Sequence, residues 1–172
     1  MRYIAIGFLI VLLSLNLVVI DMGFYERNSN CGDNCDNVVK YFFGGDLVGD
    51  YSDEELIHMG DVRQLIWIGW FISLVLIGFA VFASKRDFFI GGLIGLGLIL
   101  LFLLVFINFD FSFTLFHKIF FRNDYWLLPA DSLLISMFPS EFFFKSFVRI
   151  ILYSSIFSVL SIIGGLKWKR KK

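Results

Sequence analysis

Apolar residues fall along this chain in four long runs, divided by two mixed stretches and one tight charged turn. The runs are Tyr3 to Ile20, Leu65 to Ala83, Phe88 to Asn108 and Phe147 to Leu166. At about 20 residues per crossing, each is long enough to span a bilayer as a helix. The first run is followed by Asp21, Met22, Gly23 and Phe24 rather than a small-x-small cleavage site, so it reads as a retained helix and not a signal peptide. Asn16 within it suits an interhelical hydrogen bond. The third run carries Gly91, Gly92, Gly95 and Gly97, a small-residue face that lets a neighbouring backbone approach closely.

The stretches between the runs have patterns of their own. In the first, 21–57, Ser52-Asp53-Glu54-Glu55 matches a capping box, with Ser52 as N-cap and Glu55 reaching back to it. A helix starting there runs through His58, Asp61 and Arg63 into the second apolar run. From Asp53 to Ala83 it would be about 45 Å long at ~1.5 Å per residue, against a hydrocarbon core of about 30 Å. Its first turns therefore project into the headgroup layer, with His58 roughly 10 Å above Leu65. His58 and Asp61, three apart, share a helix face. The second stretch, 109–146, is too aromatic for an ordinary connector. Short helices are expected over about 112–121 and 132–138, broken around Asn123-Asp124 and at Pro129 and Pro139.

Composition fixes the class. Of 172 residues, hydrophobic types make up 58% and aromatic types 19%, more apolar surface than a soluble domain of this size can hide. The expected fold is an all-α membrane protein: one four-helix transmembrane domain over 1–172, with short interfacial helices on the outer face. Net charge is formally zero, but its distribution is lopsided. Arg2, the Lys85-Arg86 turn and the basic tail from Lys167 to Lys172 fall on one side of the membrane, whereas every acid except Asp87 falls on the other. The positive-inside rule then makes both termini cytoplasmic in a multi-pass protein of the cell membrane. Segments 21–57 and 109–146 face outward. The bilayer is one partner; no basic patch points to nucleic acid.

The reactive inventory is short. The two histidines, His58 and His117, fall on the outer side at similar depth, one before the second run and one after the third. Histidine exchanges protons near neutral pH, and an ionisable residue beside a membrane span is a functional hypothesis by default. Each alone is as readily a polar interface residue satisfied by lipid or backbone. A metal site drawn from His58, Asp61, His117 and Asp124 has no recognised ligand spacing, and no cofactor is implied. Proton-transfer catalysis on a lipid-borne substrate needs a base, a group that polarises a carbonyl and a greasy pocket. Phe113, Phe116 and Phe120 lie around His117 at helical spacings and offer such an acyl pocket, or simply an interfacial anchor. Cys31 and Cys35 face an oxidising side, where a short-loop disulfide is the expected state; neighbouring Asp33 and Asp36 disfavour a reactive thiolate.

Two motifs carry a resemblance. E-E-L-I-H-M-G-D-V-R over 54–63, followed by a span, and F-H-K-I-F-F-R-N-D-Y-W-L-L-P-A-D-S-L-L-I-S-M-F-P-S-E-F-F over 116–143 together resemble the lipoprotein intramolecular transacylase (Lit) family. The resemblance implies a membrane acyltransferase that moves the sn-2 acyl chain of a diacylglyceryl-cysteine lipoprotein to that cysteine's own α-amine, giving a lyso-form lipoprotein. The family's two functional histidines map onto His58 and His117. In one assignment His58 is the base, oriented by Asp61, and His117 polarises the ester carbonyl or shuttles the proton; the roles can also be exchanged. Arg63, Asn123, Asp124 and Trp126 are candidate supporting residues. The partner implied is a membrane-anchored lipoprotein substrate. The competing readings are a non-enzymatic accessory or chaperone protein for exported or lipid-modified proteins, and a related lipid-modifying enzyme with another substrate.

Overall fold

The computed structural model describes residues 1–166, so the basic tail from Lys167 that entered the orientation argument lies outside the described residues. Among the described residues eight helices follow one another: α1 (Arg2–Ile20), α2 (Met22–Asn28), α3 (Asn34–Phe42), α4 (Asp53–Val81), α5 (Lys85–Val105), α6 (Phe109–Phe120), α7 (Leu133–Met137) and α8 (Ser140–Leu166). No strand occurs among the described residues. Helices α1, α4, α5 and α8 are each long and apolar enough to cross a membrane.

Local chemistry sets the boundaries, and where they depart from the hydropathy pattern the cause is visible. Helix α5 begins at Lys85 rather than Phe88 because Ser84 and Asp87 form a reciprocal capping box, which extends the helix through the charged turn. It stops at Val105, short of Asn108, and Asn108 instead caps α6 by accepting the Phe111 N–H at 3.1 Å. Helix α8 begins at Ser140, seven residues ahead of the apolar run, immediately after Pro139. Its first turns are polar enough to hold a Glu141–Lys145 ion pair at 2.8 Å, so hydropathy alone hides them. Helices α2 and α3 were not visible as apolar runs at all. Asp21 caps the first of them by accepting the Phe24 N–H at 2.9 Å.

The chain packs as two compact units. One comprises Met1–Leu17, Gly69–Ile107 and the helix from Val148 onward. Its interior is small and hydroxylic: Ser14, Ser73, Ser154 and Ser158 are buried, as are Gly91, Gly92 and Gly95. Its surface carries large apolar side chains such as Phe71 (68% exposed) and Leu104 (67% exposed). A soluble protein would reverse that arrangement. In lipid it is expected, because apolar side chains have no reason to hide and small residues allow close helix contact. Asn16 on α1 donates to the Ser73 hydroxyl on α4 at 2.9 Å, the interhelical bond its position suggested. A Cβ at Gly92 would stand 2.6 Å from the carbonyl oxygen of Ser158, whereas one at Gly97 would meet nothing within 4 Å. Only part of the glycine face is thus an interface.

The second unit comprises Val18–Ile68 and Asn108–Phe147. Its core is of the ordinary kind, with Phe24, Tyr25, Val38, Tyr41, Phe42, Met59, Leu134, Met137 and Phe142 all buried. Phe142 is the hub of an aromatic cluster, its ring 5.5 Å from Phe24, 5.2 Å from Tyr25 and 5.1 Å from Phe138. Both histidines belong to this unit.

The glycine contacts give a direct test. Gly92→Val should destabilise the protein by about 1–3 kcal/mol through overpacking, lowering its thermal midpoint in detergent, while Gly97→Ala should leave the midpoint unchanged.

Candidate active site

Each histidine is positioned by its own helix. Glu55 accepts the Ser52 N–H at 2.7 Å and Ser52 Oγ accepts the Glu55 N–H at 3.3 Å. That box fixes the start of α4 one turn before His58. His117 lies in the last turn of α6, which ends as the Phe121 N–H closes onto the His117 carbonyl at 2.9 Å. The two imidazole rings stand 5.9 Å apart, centroid to centroid.

Hydrogen bonding distinguishes them. His117 is buried, and its Nδ1 lies 2.7 Å from the carbonyl oxygen of Phe113. A carbonyl only accepts, so Nδ1 carries the proton and Nε2 presents a lone pair. Burial pushes the His117 pKa below the ordinary histidine value; the bond to the Phe113 carbonyl, which favours the protonated ring, offsets part of this. The ring is therefore neutral at neutral pH. His58 Nδ1 is buried and makes no hydrogen bond. An unsatisfied buried ring nitrogen is costly enough to call for an explanation.

An aromatic wall surrounds the pair. The Phe113 ring is 4.2 Å from His117, Trp126 4.9 Å and Phe116 5.4 Å. Phe121 touches both histidines, 5.2 Å from His58 and 5.4 Å from His117. It was not among the candidates from the sequence, although its spacing of four from His117, mirroring that of Phe113, was an available signal. Phe120 is exposed and meets Phe116 at 4.8 Å rather than His117.

Asp61 does not orient His58 through Nδ1. Its Oδ2 accepts from Asn123 Nδ2 at 2.8 Å, and Asn123 Oδ1 in turn accepts the Tyr125 N–H at 3.2 Å. The Asp61–Asn123 bond instead ties α4, one turn past His58, to the chain just past His117, and so bears on the distance between the rings. Arg63 is engaged elsewhere: its guanidinium sits 4.2 Å over the Tyr41 ring and 5.4 Å from Trp67, and donates to the Gly45 carbonyl at 3.5 Å. Asp124 is exposed, and its carbonyl closes a turn by accepting the Leu127 N–H at 3.0 Å. Cys31 and Cys35 are joined as a disulfide with Cα atoms 5.1 Å apart. An open cavity of about 710 Å³ lies against Glu54, Glu55, Asp131, Ser132 and Ser136, not against the imidazoles. Among the described residues no group of three His, Cys, Asp or Glu side chains is arranged to hold a metal ion.

If the Asp61–Asn123 bond holds the histidine-bearing segments together, Asn123→Leu should cost about 1.5–3 kcal/mol, the range for a hydrogen bond to a charged group. Thermal or denaturant unfolding of the purified protein measures it.

Comparison with known proteins places the chain in a family. Residues 48–143 match the family model of the lipoprotein intramolecular transacylase Lit, a stretch that holds both histidines. The chain is 27% identical over 126 residues to an uncharacterised protein of Aquifex aeolicus (strain VF5), covering 70% of this chain but only 58% of that relative's length. The solved structure of the membrane integral lipoprotein intramolecular transacylase Lit from Bacillus cereus is similar with a TM-score of 0.84 and 25% identity, over 93% of this chain and 88% of that one. A variant of the same transacylase with a histidine changed to alanine is similar with a TM-score of 0.79 and 26% identity, over 93% and 86% of the two chains. The match to the family model spans more than half of the sequence, and the chain belongs to the lipoprotein intramolecular transacylase Lit family.

Proposed function

We propose that this protein catalyses an intramolecular O-to-N acyl transfer on a diacylglyceryl-cysteine lipoprotein, moving the sn-2 acyl chain to the cysteine α-amine and releasing a lyso-form lipoprotein. The observation that carries the reading is the histidine pair: two imidazoles 5.9 Å apart, one with a free Nε2 lone pair and one with an unpartnered Nδ1.

The chemistry asks little else of the protein. The α-amine nitrogen attacks the ester carbonyl, the tetrahedral intermediate collapses, the C–O bond to the glyceryl sn-2 oxygen breaks, and an amide and a free hydroxyl result. One proton passes from nitrogen to that oxygen overall. Nucleophile and ester belong to one molecule, so holding them in register supplies much of the acceleration. His117 Nε2 is suited to take the proton from the attacking amine and return it to the departing glyceryl oxygen. His58, with Nδ1 in its N–H form, is suited to donate to the developing oxyanion, which would give that otherwise unpartnered nitrogen an acceptor. Of the two role assignments the sequence left open, the bond between His117 Nδ1 and the Phe113 carbonyl favours the one with His117 as base. Phe113, Phe116 and Phe121 give the acyl chain an apolar wall. The site opens on the outer side of the cytoplasmic membrane, with both termini inside. The distribution of Arg2, Lys85 and Arg86 against the acids of the second unit supports that orientation.

The test is a mass-spectrometric readout of a reporter lipoprotein's N-terminus. His117→Ala and His58→Ala should each lower lyso-form production at least about 100-fold, the lower end for loss of a general acid or base; unaltered product in both variants would favour an accessory role. The pH dependence has a defined sign. Protonated His117 cannot accept the amine proton, so activity falls as pH drops through its folded pKa. The substrate's α-amine, with an ordinary pKa of about 7.7–8.0, sets the first acid limb of kcat/KM; because burial depresses the His117 value, a second and steeper fall should begin below the ordinary histidine pKa of about 6.5.

A further inference from the structure

We propose that Glu55, which the reaction chemistry itself does not require, is a positioning residue for the histidine pair; the inference rests on the acyl-transfer reading above. Glu55 is 2% exposed. Both carboxylate oxygens accept backbone N–H groups: Oε2 takes that of Ser52 at 2.7 Å and Oε1 takes that of Leu134, across the fold, also at 2.7 Å. Closing its own capping box would need one of these bonds. The second pins the start of α4 to the start of α7.

That pin acts on both histidines. Glu55 precedes His58 by three positions, so the two share a face of α4. A rotation of α4 that swings His58 away from Phe121 also pulls Glu55 off the Leu134 N–H. On the other side, Ser132 caps α7 and donates its own N–H to the Pro129 carbonyl at 3.0 Å. Six residues earlier in the chain, the Trp126 ring lies 4.9 Å from His117. The far end of α7 is held as well: the Asn30 N–H reaches the Met137 carbonyl at 2.8 Å and Asn30 Nδ2 the Ser136 carbonyl at 3.0 Å. Helix α7 is thus fixed at both ends and cannot shift to follow a displaced α4. A carboxylate is the side chain that fits the task, because it offers two acceptors to two opposed N–H donors. A glutamine of the same size offers one acceptor and turns its NH₂ towards the other donor.

The experiment uses the full chain in detergent with a synthetic diacylglyceryl lipopeptide bearing a free N-terminal cysteine amine. It compares wild type, Glu55→Gln and Glu55→Asp for kcat, KM and deuterium uptake of backbone amides. Glu55→Gln should lower kcat about tenfold or more, as misplacement of reacting groups does, with KM within about twofold. Deuterium uptake over 132–137 should rise. Glu55→Asp, which keeps both acceptors on a shorter arm, should recover part of kcat. Wild-type kcat in Glu55→Gln, or unchanged uptake over 132–137, overturns the proposal. Failure of the wild-type protein to convert the lipopeptide overturns the acyl-transfer reading instead, and the exchange comparison still decides the clamp.

Discussion

A buried carboxylate accepting two backbone N–H groups is the interaction on which the geometry of the second unit turns. Removing an ion from water costs several kcal/mol after relaxation, so Glu55 is tolerable at 2% exposure only because both oxygens are well bonded. One of those bonds is local and starts a helix. The other reaches seventy-nine positions along the chain, to Leu134. The same few atoms that satisfy an orphan N–H at the start of α7 also hold the helix that carries His58.

The two units obey opposite packing rules. The unit built from the long apolar helices buries serine and glycine and exposes phenylalanine and leucine. The other buries an aromatic core and, with it, the paired carboxylate of Glu55. The difference follows from the solvent. Lipid exerts no hydrophobic pressure on apolar side chains, so close backbone contact and interhelical bonds such as Asn16–Ser73 carry association. Within the second unit, the carbonyl of Phe113, one turn earlier in α6, fixes the tautomer of the buried His117 ring.

Much of this was legible without coordinates. Length and hydropathy gave the four crossing helices, and the Ser52–Glu55 spacing gave the start of α4. Two histidines in a chain with so few reactive groups drew attention to both. The misplaced boundaries share one cause: hydropathy windows do not register caps. Ser84 with Asp87 lengthened α5, and Pro139 let α8 begin in polar residues. Asp61 shows the same limit at the site. A helix face shared with His58 made it the natural orienting partner, yet a carboxylate goes to the best donor within reach, and that donor came from Asn123.

The sequence by itself determined what is periodic or local: helices long enough for a membrane, a capping box, an aromatic stripe around His117, and an asymmetry of charge. Each is set by neighbours within a few positions, where helical geometry is known beforehand. Only the tertiary structure decided what depends on distant segments meeting. It brought His58 and His117 within 5.9 Å, set Phe121 against both, turned Asp61 to Asn123 and gave the capping glutamate its second partner. His58 and His117, Asp61 and Asn123, and Glu55 and Leu134 are all far apart in the sequence, and no pattern along the chain encodes which donor arrives opposite which acceptor.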